Sequence, residues 1–184
     1  MKELLWQGIA WVVSREPIAN YLIKRAQRTP YFDLPGYMKR WWVFNPYGND
    51  IETPDAPRHD AKYPWLPSIR IHHILRADEA RDPHDHPWDA RTIILKGWYD
   101  EERIVQELHD VEIDHFPEYF FVHDAWRYKG NTAPLKYREF HNITRVSDGG
   151  VWTLFITWKY QGVWGFLVNG RKVPWREYVG AETV

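Results

Sequence analysis

Cysteine is absent from the 184-residue chain, which removes disulfides, thiolate metal sites and cysteine nucleophiles at once. Serine is nearly as scarce. Only Ser14, Ser68 and Ser147 occur, none within Gly-x-Ser-x-Gly, so a serine nucleophile is not expected. There is no glycine-rich phosphate loop and no His-Glu-x-x-His. No aspartate stands two residues after a candidate ligand histidine, so a His-x-Asp facial triad for iron is not supported. An excess of one charge is missing too: 24 basic against 25 acidic residues leave a net charge of −1. A surface built to grip nucleic acid or an anionic membrane is therefore not expected, and the small basic cluster Lys24, Arg25 and Arg28 does not change that. The longest apolar run, residues 9–13, falls far short of the roughly 20 residues that span a bilayer. With a single lysine and no apolar stretch leading to small residues at the start, no secretory leader is read, and the expected location is the cytoplasm.

What is abundant is aromatic. Phe, Trp and Tyr make up 17% of the chain and the 12 tryptophans outnumber the leucines, a bias that favours strands over a helix bundle. The length suits one domain with a real core. Pro17 is placed as a first-turn residue with Ser14 as its cap, and Ile18, Tyr21, Leu22, Arg25 and Ala26 follow at helical spacing. Residues 3–13 read as a weaker helix before it. Residues 45–67 carry five prolines and read as a long ordered loop held by Tyr47, Tyr63 and Trp65. Strands are expected at residues 38–44, 69–75, 92–96, 98–105, 111–115, 119–122, 135–146, 151–160 and 164–168. In residues 69–76, Ile69, Ile71, His73 and Leu75 alternate with Arg70, His72, Ile74 and Arg76. Gly97, the Ser-Asp-Gly-Gly run at 147–150 and Asn169-Gly170 read as hairpin turns. The expected class is mainly β, a double-sheet jelly roll or small barrel behind one or two N-terminal helices. Its parts are a helical and proline-rich extension (1–67), a β-barrel (68–168) and a C-terminal hairpin and tail (169–184).

The sharpest feature is Asp82-Pro-His84-Asp-His86-Pro-Trp88-Asp89. Two histidines at i, i+2 in an extended segment face the same way, so both imidazoles can reach one metal ion. Pro83 and Pro87 restrict the backbone on either side. Asp82, Asp85 and Asp89 are candidates to hold the second ring N–H of a ligating histidine. His141 is the best third ligand, inside a late strand whose face also carries Tyr137, Glu139 and Ile143. Glu139 is read as a fourth ligand, a general base beside the metal, or a solvated charge. Asp89 and His73 are further candidates for a fourth ligand, although His73 shares the apolar face of its strand and reads better as a core histidine. His59, His109, His115 and His123 lie among charges and read as surface residues.

The run Ile71-His-His-Ile-Leu-Arg76, then His84-Asp-His86-Pro-Trp88-Asp89, Ile93-Ile-Leu-Lys-Gly97 and Phe140-His141 before a Gly-Gly turn resembles the cupin superfamily. More narrowly, it is similar to small cupin-like proteins of bacteria and their phages that carry a His-Asp-His-Pro-Trp-Asp signature. The likeness extends to Arg25-Ala-Gln-Arg-Thr-Pro-Tyr31 and to Trp164-Gly-Phe with Trp175-Arg-Glu-Tyr178. It implies a double-stranded β-helix holding a divalent ion, iron, manganese, zinc or nickel. His84 and His86 match the His-x-His of the first cupin motif and His141 the histidine of the second. Where the first motif has a glutamate this chain has Arg91. Lys136, Tyr137 and Arg138 replace the Pro-x-Gly of the second motif, and Arg145 replaces its asparagine. The resemblance thus implies a three-histidine site, with or without Glu139 or an aspartate.

Two functions follow. One is a metal-dependent small-molecule enzyme, of dioxygenase, isomerase or lyase type, with Glu139 as acid or base. Arg91, with Arg138 and Arg145, would steer an acidic substrate, and Trp88 and Tyr137 would contact it. The other is a non-catalytic cupin, a ligand-binding or phage accessory protein. Either is expected to form a homodimer through exposed strand edges.

Overall fold

The computed structural model describes residues 1–31, 33–48, 60–80, 82–105 and 121–180. Two helices lead, α1 (Lys2–Val13) and α2 (Glu16–Ala26). Ten strands follow: β1 (Met38–Phe44), β2 (Ser68–Ile74), β3 (Trp88–Lys96), β4 (Trp98–Val105), β5 (Phe121–Tyr128), β6 (Thr132–Leu135), β7 (His141–Val146), β8 (Val151–Tyr160), β9 (Gly165–Val168) and β10 (Arg171–Pro174). A single turn of helix, α3 (Trp175–Tyr178), comes last.

The strands form a five-stranded sheet in the order β1-β2-β8-β3-β6, a three-stranded sheet β5-β4-β7 and the hairpin β9-β10. Residue 84 joins the last two by isolated bridges, to His141 of β7 and to Phe166 of β9. Every strand pairing among the described residues is antiparallel. The sheets line a common cavity, so the fold is a jelly-roll β-sandwich of mainly β class.

Alternation decides what each face does. On the outer face of the five-stranded sheet, Ile71, Ile93, Leu154 and Ile156 pack with Ala10, Ala19, Ile23 and Ala26 of the two helices. The small alanines let the helices lie close to the sheet. His73 is on this face, stacked on Trp152 with centroids 4.0 Å apart, and Trp152 stacks in turn on Trp41. The opposite face of β2 carries Arg70 and His72, both buried. The barrel interior is thus the more polar face of this strand.

Several boundaries differ from the sequence reading, each for a local reason. Ser14 does not cap α2; its hydroxyl donates to Trp11 O (3.2 Å) and it closes α1. Residues 135–146 are not one strand. β6 and β7 lie in different sheets, and the turn between them holds Arg138 at φ +66°. Residues 147–150 do not close a paired hairpin: they carry the chain from β7 in one sheet to β8 in the other. Gly150 there (φ +86°) leaves no room for a Cβ, which would meet Ile74 O at 2.6 Å. Gly97 (φ +75°) links β3 to β4, which also lie in different sheets. The expected strand at 111–115, the first half of that at 119–122 and the histidines His59, His109 and His115 lie outside the described residues, as do residues 49–59 of the proline-rich loop. None of the described helices is long and apolar enough to cross a membrane.

Candidate metal centre

The segment around residue 84 is extended because both of its edges are occupied. His84 N donates to His141 O (3.0 Å), and His141 N returns a bond to His84 O (2.9 Å). On the other side Asp85 N donates to Gly165 O (3.0 Å), and Leu167 N donates to Pro83 O (2.8 Å). The period of two then separates the side chains. His84 and His86 turn to the cavity, while the fully buried Asp85 accepts from Gly165 N (2.7 Å) and Lys172 Nζ. Burial raises the Asp85 pKa, and Lys172 opposes the rise. Asp85 is therefore a clamp on the β9-β10 hairpin and not a partner of a histidine. The other two aspartates of the signature are also engaged elsewhere. Asp82 accepts from the Tyr178 hydroxyl (2.9 Å) and Asp89 from Tyr137 N (2.9 Å).

His84, His86 and His141 converge: one nitrogen from each lies within 4.8 Å of those of the other two. His86 Nε2 faces His141 Nε2 at 3.0 Å. Donors on a tetrahedral ion with bonds of about 2.0–2.1 Å sit roughly 3.3 Å apart, a value between the 3.0 Å of this pair and the 4.8 Å that bounds the set. Burial pushes the His84 imidazole down to about 4, helped by the neighbouring His141, and holds His86 well below its usual value. Both are neutral at pH 7, the form that ligates a metal. His86 also stacks on Trp88, 5.1 Å between centroids at 14°.

The partner that orients His141 was missed in the sequence. Glu101 of β4 is 2% exposed, and its Oε1 lies 2.9 Å from His141 Nδ1. Burial works to raise its pKa, yet His141 and Arg103 hold it well below the usual carboxylate range. An ionised Glu101 accepts a hydrogen bond from Nδ1–H and leaves Nε2 with its lone pair toward the cavity. Arg127 Nε (3.1 Å) and Arg103 Nε (3.0 Å) approach Glu101 Oε2. The available signal was the alternation Tyr99-x-Glu101-x-Arg103, three buried residues on one face of β4. On the far side, Asp78 Oδ2 is 3.9 Å from His84 Nδ1. Asp78 also accepts from Ile143 N (2.7 Å) and from the Tyr37 hydroxyl.

The remaining sequence candidates divide. Trp88 lines the cavity beside the histidines. Glu139 does not. It lies in the β6–β7 turn, where Oε1 accepts from Arg103 NH1 (2.8 Å) and Oε2 from Lys136 N (2.8 Å). Arg91 is on the outer face of β3, paired with Glu3 of α1 (2.5 Å), because residue 91 has the opposite parity to Thr92, which lines the cavity. Tyr137 lies in the same turn, two residues before Glu139, and is also absent from the cavity wall. His73 is occupied by Gly149 O (2.9 Å) on the outer side. Asp89 and His73 are consequently not brought to the three histidines.

The cavity has a volume of about 1520 Å³ and is walled by both sheets, with Arg70, His72, Tyr99 and Phe155 among its lining. Fold and site together define a jelly-roll β-sandwich enclosing a three-histidine centre. No protein-family model matches the chain, and no curated protein matches it. Among solved structures it is similar to oxalate decarboxylase from Bacillus subtilis, at 10% identity and a TM-score of 0.49 over 88% of this chain and 33% of that one. Vicilin from hazelnut (Corylus avellana) matches at 10% identity and 0.46, over 70% and 30%. Hydroxypropylphosphonic acid epoxidase from S. wedmorenis matches at 9% and 0.43, over 72% and 56%. The chain thus spans about a third of the length of the first two. Fold and site alike rest on this chain's own strand pairings and residues.

Proposed function

We propose that this chain is a metal-binding cupin whose cavity acts on a small molecule, and that His84, His86 and His141 are the metal ligands. The observation that supports this is the convergence of three imidazoles with Glu101 fixing the tautomer of one of them. The donor set suits zinc, iron, manganese or nickel without choosing among them. A divalent ion held by these three histidines would supply a Lewis acid able to polarise a carbonyl or activate water.

The protein's own residues do the rest. Glu101 keeps the proton on His141 Nδ1. Arg103 ties Glu101 to Glu139, so Glu139 acts as a positioning residue three links from the ligand. Trp88 walls the cavity against the His86 ring. The reaction class proposed is of oxygenase, isomerase or lyase type. The engagement of both Glu101 and Asp78 favours, as a second reading, a cupin that binds a ligand without turning it over. Location in the cytoplasm of a bacterium or of a phage-infected host cell, and assembly as a homodimer, belong to the same proposal.

The test is thermal unfolding of untagged protein with added zinc, manganese, nickel or ferrous ion. A ligand that binds only the folded state raises the transition temperature. The proposal expects a rise in the wild type and none in the His84→Ala/His141→Ala double variant. Equal rises in both contradict it.

A further inference from the structure

Three arginines are buried in the described structure: Arg70, Arg91 and Arg103. Arg91 pairs with Glu3, and Arg103 with Glu101 and Glu139. Arg70, 3% exposed, has no carboxylate among the described residues. Its one polar partner there is the Tyr47 hydroxyl, 3.4 Å from NH2, and its Nε has none. Around it stand the rings of Trp42 (5.0 Å), Trp88 (5.0 Å), Phe155 (5.4 Å), Tyr47 (5.6 Å) and Tyr31 (5.9 Å). Aromatic faces offset only part of the cost of burying a cation.

Two more orphaned atoms share the cavity. His72 Nε2, two residues along β2, and Trp88 Nε1 are both buried without a partner. Arginine and tryptophan only donate. A niche whose unpartnered guanidinium and indole N–H groups meet no carboxylate, and where His72 Nε2 donates in one tautomer, is complementary to an oxyanion, and a guanidinium fork matches one bidentately. Trp88 and Phe155, two of the five rings around Arg70, place this niche beside the three histidines, since both also contact His86, at 5.1 and 5.9 Å.

We propose that Arg70, with Trp88 Nε1 and His72 Nε2, binds the oxyanion of an acidic small molecule, a carboxylate or phosphate carried on a flat apolar body. The other end of that molecule faces His84, His86 and His141. This rests on the cavity being a small-molecule site, as proposed above, and not on the identity of any metal. It moves substrate recognition from Arg91, which is committed to α1, to a residue on the opposite face of the sheet.

The experiment is calorimetric titration of the full chain in EDTA, so that no metal contributes to the binding. Benzoate and phenyl phosphate are the probes, and benzamide is the neutral control. At least one anion is expected to bind tenfold or more tightly than benzamide, and the stronger of the two identifies the oxyanion. Arg70→Gln should lose at least tenfold for that anion and leave benzamide unchanged, with partial recovery in Arg70→Lys. Trp88→Phe, which keeps a ring but removes the N–H, should lose severalfold for the anion alone and serves if Arg70→Gln does not fold. Anions that bind no better than benzamide overturn the proposal, as does undiminished anion affinity in Arg70→Gln or Trp88→Phe. Metal content measured on the same protein before EDTA treatment and after reconstitution separates the two readings: anion binding in a protein that takes up no metal refutes the metal centre alone, and metal uptake without anion binding refutes this inference alone.

Discussion

Glu101 Oε1 and His141 Nδ1 lie 2.9 Å apart on neighbouring antiparallel strands, both residues buried inside the jelly roll. A carboxylate in this position sets which imidazole nitrogen is free and makes it more basic. Glu101→Gln keeps the shape, removes the charge and leaves an amide that can present its N–H₂ to the ring. Metal affinity should fall by roughly 10–100-fold, measured by competition with a chelating dye. Unchanged affinity would remove Glu101 from the centre.

Truncating the same residue tests stability. Glu101→Ala leaves Arg103 and Arg127 without the carboxylate they share. Breaking a buried ion pair in this way costs about 3–5 kcal/mol. Denaturant titration of the metal-free protein should show a loss of that order, larger than for Glu139→Ala, whose carboxylate is partly exposed.

Acid should weaken the metal-free fold through its buried imidazoles. Burial holds His84 at about 4, and His72 and His86 well below their usual value of 6.5. The unfolded chain therefore binds protons that the folded chain refuses. Stability is full above pH 6.5 and falls as the pH drops toward 4, by about 3 kcal/mol for His84 alone. Denaturant midpoints between pH 7 and 4.5 in EDTA check this, and His84→Gln should flatten the profile. A wild-type midpoint that stays level over that range would contradict the burial of these rings.

Gly165 has no room for a side chain. A Cβ there would meet Val173 O at 2.2 Å, in the hairpin that Asp85 clamps. Gly165→Ala should destabilise by about 1–3 kcal/mol through forced backbone movement and loosen residues 83–87, which pair with β9. Metal affinity should drop with it, whereas Arg91→Lys, on the outer face, should leave metal content as it is. Both are read by denaturation and metal analysis.

Much of this was legible in the chain. The spacing of His84 and His86 between prolines, the late His141 and the strand-rich composition all point to the centre that the structure assembles. The failures have local physical origins. Parity along a strand says which residues share a face, but not which face is the inside. In β2 the apolar set Ile69, Ile71 and His73 looked like the interior, yet α1 and α2 cover that side, and the polar set with Arg70 and His72 lines the cavity. Arg91 looked like a substrate residue because it stands where the resembled motif has a glutamate, yet it faces α1 on the outer side of the sheet. Glu139 was misplaced for another reason. A strand drawn through residues 135–146 puts it on the face of His141, whereas the chain turns at Arg138 and changes sheet. Glu101, finally, sits in the charged run Asp100-Glu101-Glu102-Arg103. Only its pairing with β5 and β7 shows that it is buried.

Metal analysis of untagged protein, as purified and after reconstitution, tests the central claim most directly. The three-histidine centre predicts about one equivalent of a divalent transition metal per chain in the wild type, and none retained by the His84→Ala/His141→Ala variant. Less than about a tenth of an equivalent in the wild type after reconstitution, with the fold intact, would contradict it.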